Sequence, residues 1–114
     1  MFEKPITKDA NLMLCTLYKA YLEKRKAGIS KADAKYFGNH DDIQKQYFPN
    51  ISADDVDETL RELWRSKFID AYVADDHVCD STLTDDAIIY MENKFKKGLS
   101  EVIETIAALK PTFK

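Results

Sequence analysis

From residue 8 onward apolar side chains return at steps of three and four. Ala10, Met13, Leu14, Leu17 and Tyr21 mark one face of a helix spanning about 8–26. Leu12 and Tyr18 widen that stripe, so this helix is expected to be covered on more than one side. Lys24, Arg25 and Lys26 crowd its last turn, and Gly28 follows as a stop. Ser30, with Asp33 three residues on, has the spacing of a capping box for a short helical turn that Gly38 closes. Ile29 alternatively enters a short strand. Asn39 then caps a short helix with Asp41 and Asp42 in its first turn and Ile43 and Tyr47 four apart, ended by Pro49. Ser52 caps the next helix, where Val56, Leu60, Leu63 and Trp64 fall at i, i+4, i+7 and i+8 and predict a buried face.

After Lys67 the period shortens. "FIDAYVADDHVCDSTL" predicts two strands, 69–74 and 77–83, joined by a tight turn at Asp75–Asp76. Thr84 caps a helix whose Ile88, Met91 and Phe95 face one way, with Gly98 after it. A last helix over 99–110, with Ser100 at its start, carries an apolar stripe of Leu99, Val102, Ile103 and Ile106 before Pro111 ends the order. The expected fold is mainly α, in the α+β class, as one domain over 1–114 with its core unit in 8–97. The last helix comes after that core has closed. It either folds back on the first helix or pairs with its counterpart in another subunit. The second is preferred, making Leu99, Val102, Ile103 and Ile106 dimerisation candidates in a homodimer.

Composition narrows the class. With 114 residues, 45% hydrophobic and 32% charged, the chain can bury one core without metal or disulfide staples. Two cysteines make no disulfide framework, and Cys15 inside "LMLCTLYKAYL" reads as a small buried hydrophobe. No apolar run approaches the roughly 18 residues of a membrane span, and "MFEKPITKDANL" lacks the basic start and apolar run of a signal peptide. A cytoplasmic location without membrane contact is expected. The net charge of −3 is unevenly spread. Residues 1–50 hold 9 Lys/Arg against 6 Asp/Glu, residues 51–82 hold 3 against 9, and residues 83–114 hold 5 against 5.

The order helix, short helix, capped helix, hairpin, helix resembles a winged helix-turn-helix over about residues 8–97. "DDIQKQYFPNISADDVDETLRELWRSKFI" looks like the helix–turn–helix pair and "AYVADDHVCDSTL" like the wing. "LTDDAIIYMENKF", with Leu83, Thr84, Tyr90 and Glu92, resembles the post-wing helix of small bacterial winged-helix regulators of the MarR and PadR groups. Those families usually place glycine two or three residues after the Thr, where this chain has Asp86 and Ala87. They often place another before the strand, where this chain has Lys67–Phe68. The resemblance implies a small bacterial or phage-type transcriptional regulator binding double-stranded DNA. Arg61, Arg65, Lys67 and Lys45 are then the DNA-contact candidates.

Charge argues the other way. A helix that reads DNA puts its N-terminal residues at base edges among phosphates, yet this one opens with Asp54, Asp55, Asp57 and Glu58. Carboxylates in a first turn suit the helix dipole, and Asp57–Arg61 and Glu62–Arg65 have the spacing of ordinary surface pairs. The wing tip carries Asp75, Asp76 and Asp80 where a minor-groove grip calls for Arg or Lys. The alternative is therefore a winged helix used for protein contacts, with Asp54, Asp55, Glu58 and Glu62 as the partner-binding face. The basic cluster Lys24, Arg25, Lys26, Lys31 and Lys35 reads as dipole complementation plus a solvated loop, or else as an anion surface. Tyr36, Phe37, Tyr47, Phe48 and Trp64 read as core, not as a base-stacking platform. No phosphate loop, zinc-protease helix or nucleophile elbow occurs. His77 and Cys79, two apart with Asp75 nearby, fall short of a four-ligand zinc pattern. No catalytic residue, metal or cofactor is assigned.

Overall fold

A computed structural model describes residues 5–109. Six helices and one hairpin follow in the order α1 (Lys8–Lys26), α2 (Lys31–Lys35), α3 (His40–Tyr47), α4 (Ala53–Arg65), β1 (Ile69–Ala74), β2 (His77–Leu83), α5 (Asp85–Lys94) and α6 (Leu99–Leu109). The chain is mostly helical with a two-stranded antiparallel sheet, an α+β architecture. The expected Pro111 stop and the end of the last helix at 110 lie outside the described residues.

Side-chain caps set where the helices begin. The oxygens of Thr7, Ser30, Asn39, Ser52 and Thr84 each accept from a backbone N–H three residues on. Each satisfies a donor that the first turn leaves orphaned. Two helix ends share a second device. After α1, Gly28 takes φ 88° and the N–H groups of Gly28 and Ile29 donate to the carbonyls of Arg25 and Lys24. After α4, Lys67 takes φ 67° in the corresponding place, with Lys67 and Phe68 donating to Trp64 and Leu63. The lysine at the pre-strand position thus does what a glycine does elsewhere.

α1 is the central element: Ala10, Leu12, Met13, Leu14, Cys15, Leu17, Tyr18, Ala20 and Tyr21 are all buried. That is more than one face, and α2, α4, α5 and α6 all pack on it. Val56, Leu60 and Leu63 of α4 are fully buried, as expected, but Trp64 is 42% exposed. It sits on the flank of the stripe, about 80° round from Val56 at roughly 100° per residue. Asp57 occupies the same flank nearly two turns earlier and is covered, only 3% exposed. So the expected surface pair Asp57–Arg61 is buried at its acid end. Of the aromatic residues read as core, Phe48 is buried and Phe37 and Tyr47 pack partly against the core, while Tyr36 lies 49% exposed.

The hairpin turns on Asp75 and Asp76, both with positive φ (51° and 63°), between the paired Ala74 and His77. Two central residues in the left-handed region match the twist of the flanking strands. Register then shifts between Val73↔Val78 and Tyr72↔Asp80, which makes Cys79 the extra residue of a β-bulge. The bulge resets the alternation, so β2 buries Val78, Ser81 and Leu83. Beside β2 runs the segment 36–38. Tyr36 bridges to Thr82, Phe37 N–H donates to Ser81 O (2.9 Å), and Ser81 Oγ donates to Gly38 O (2.8 Å). That contact, not one at Ile29, supplies the extended segment.

Candidate functional site

Two surfaces converge on α4. The first is its solvent face, where one helical row carries Asp54, Glu58, Arg61 and Arg65. Asp54, Asp55 and Glu58 stand exposed at the front. Arg61 is turned partly inward: its Nε lies 3.3 Å from Asp57 Oδ2, and one terminal nitrogen, 3.5 Å from Glu58 Oε1, offsets Glu58 but neither Asp54 nor Asp55. Arg65 is exposed and comes within 3.8 Å of the other oxygen of Glu58. Lys67 and Lys45 are exposed, one past the end of α4 and one on α3.

Glu62 has a different role from its neighbours. Its carboxylate accepts from both the backbone N–H and the hydroxyl of Thr7, each at 2.8 Å, and so ties the start of α1 to α4. Three of the four expected acidic-face residues are thus displayed together, and the fourth is engaged within the chain.

The second surface is the junction of α3, α4 and the start of β2. Asp57 Oδ1 accepts from the Val78 backbone N–H at 2.7 Å, which pins β2 to α4. Two imidazoles flank this carboxylate. His40 Nδ1 lies 3.9 Å from Oδ1 and His77 Nδ1 lies 3.7 Å from Oδ2. The two rings stack with centroids 4.8 Å apart and planes within 12°. His40 Nδ1 also faces the Val78 carbonyl at 3.2 Å, a contact that is a hydrogen bond in the tautomer with its proton on Nδ1, while Nε2 is 3.5 Å from Asp41 Oδ1. Sequence reasoning set His77 beside Cys79 and Asp75; the fold sets it beside His40 and Asp57 instead. The signal for this was faint, because the three residues come from separate elements with no fixed spacing.

The basic cluster is largely consumed within the chain. Lys31 and Lys35 both reach Asp85 Oδ1, at 3.6 and 3.0 Å, joining α2 to α5. Lys24 donates to Tyr36 O and lies 4.0 Å over the Phe37 ring, and its partial burial lowers its affinity for a proton. Arg25 donates to the Ile29 carbonyl.

On α6, Val102 is fully buried and Ile106 packs partly against the core, Leu99 is half-buried, and Ile103 remains 45% exposed. Among the described residues, no helix is long and apolar enough to cross a membrane. Compared with known proteins, the chain matches no family model, no curated protein and no solved structure.

Proposed function

We propose that this chain is a winged-helix module that works through protein contacts on the solvent face of α4, with a basic partner segment as its ligand. The order of three helices, a glutamine-stapled turn, a fourth capped helix, a hairpin and a further helix supports the winged-helix part. In that turn Gln44 Nε2 donates to Ile51 O at 2.9 Å. The observation that carries the function is the inward turn of Arg61. Shared between Asp57 and Glu58, that side chain leaves the exposed Asp54 and Asp55 with no ion pair among the described residues, at the helix front where a duplex would bring phosphates. Trp64, exposed on the flank of the same helix, adds the kind of large amphipathic anchor that protein interfaces favour.

The second reading is a transcriptional regulator gripping double-stranded DNA. Arg65, Lys67 and Lys45, all exposed, favour it. One pair of measurements separates the two. Fluorescence anisotropy at low salt is run with a labelled random duplex and with a labelled Lys/Arg-rich peptide. The protein-contact reading expects salt-sensitive peptide binding that the triple variant Asp54→Asn, Asp55→Asn, Glu58→Gln abolishes, and no duplex binding by the native chain. Duplex binding that falls on Arg65→Ala with Lys67→Ala, together with no peptide binding, overturns it in favour of the regulator.

Self-association through α6 belongs to either reading. Its support is the exposed Ile103, since Val102 is already buried in the chain's own core.

A further inference from the structure

We propose that His40, Asp57 and His77 form a binding site for a late first-row divalent cation, Zn2+, Ni2+ or Co2+, that fastens the start of β2 to α3 and α4. This does not depend on whether α4 meets protein or DNA.

The donor atoms of these three side chains all lie within 4.8 Å of one another. Around a tetrahedral ion with bonds of about 2.0–2.1 Å, donors stand roughly 3.3 Å apart. The site therefore has to contract, and the structure contains the parts that can move. Asp57 is buried and held by the Val78 N–H, so it is the fixed point. His77 is the first residue of β2, beside the turn, with about half of its side chain in solvent (49%). Because the two rings are nearly parallel, one must rotate before both lone pairs can converge on an ion, and His77 has room to do so.

His40 needs one particular tautomer. Binding through Nδ1 places the ring proton on Nε2 and gives up the hydrogen bond that the other tautomer makes to the Val78 carbonyl. Nε2 already faces the Asp41 carboxylate at 3.5 Å. A carboxylate behind a ligating imidazole fixes the tautomer and raises the ligand's basicity. Arg61 is the competitor, since its Nε lies 3.3 Å from Asp57 Oδ2. Glu58, 3.5 Å from the same guanidinium, offers it another anion when a cation arrives. Two imidazoles and one carboxylate suit Zn2+, Ni2+ or Co2+ far better than Ca2+ or Mg2+, which want oxygen ligands. Solvent on the His77 side supplies the remaining coordination position.

The test adds Co2+ to the full chain and follows visible d–d absorption, with Zn2+ as competitor. A saturable band that Zn2+ displaces is expected. His77→Ala, a change at an exposed position, should abolish it, as should His40→Ala. Asp41→Asn should weaken binding roughly tenfold, and Cys79→Ser should leave it unchanged. Absence of any band, a band that survives His77→Ala, or a band that Cys79→Ser removes overturns the assignment.

Discussion

At the residue scale, Lys67 and Asp57 do work that their neighbours in sequence do not announce. Lys67 holds a left-handed backbone, which costs an L-residue about 1–2 kcal/mol, to complete the end of α4. Replacing it by glycine removes that strain and returns part of the gain as unfolded-chain entropy. Lys67→Gly should therefore raise stability by about 0.5–1 kcal/mol in urea titration, whereas Lys67→Ala, which keeps the strained φ, should not. Asp57 shows the opposite limit of legibility. Its spacing to Arg61 is that of a surface pair, and only the position of Val78, 21 residues on, makes it a buried anchor. Cys15 was readable because burial is written into the helix around it; that burial pushes its thiol up to about 11. Trp64 was misread because it lies one step off the stripe's centre, where neighbouring elements decide its exposure.

At the scale of elements, boundaries were the most legible feature. Ser30, Asn39, Ser52 and Thr84 each cap the helix that their position in the sequence predicts, because capping is local chemistry. The hairpin was equally plain from the shortened period and its Asp75–Asp76 turn. What could not be read was how elements are tied together: Glu62 to Thr7, 55 positions apart, or Lys31 and Lys35 to Asp85. The first tie gives a prediction. Glu62→Ala removes two charge-assisted hydrogen bonds near the surface, and Thr7→Ala removes one of them along with the cap. Each should cost about 1 kcal/mol. The double variant should cost less than the two together, because they share a partner. Chemical denaturation of the four-member cycle reads this directly; strict additivity would mean that the tie contributes nothing.

For the whole molecule, pH probes the tie between α2 and α5. The Lys35 ammonium, hydrogen-bonded to Asp85, and the nearby Lys31 hold the Asp85 carboxyl below its usual value. A depressed carboxyl contributes stability that is fully present above the unfolded value of about 3.9. It is lost as pH falls through the lower folded value. Asp85→Asn should accordingly lower the melting temperature at neutral pH and flatten the acid side of the stability curve, with the two proteins converging at the lowest pH. Tyr36 acts at the alkaline end. Its hydroxyl donates to Asp80, which holds it above the usual phenol range. That contribution is present below about pH 10 and fades as pH climbs through the raised value. The packing of α6 on α1 has a consequence for synthesis. The central helix leaves the ribosome before α6, so part of its greasy surface waits for a partner some eighty residues behind it, by the chain's own numbering. Until α6 has formed, that flank of α1 lacks its cover, and the docking of the two helices closes a long-range contact.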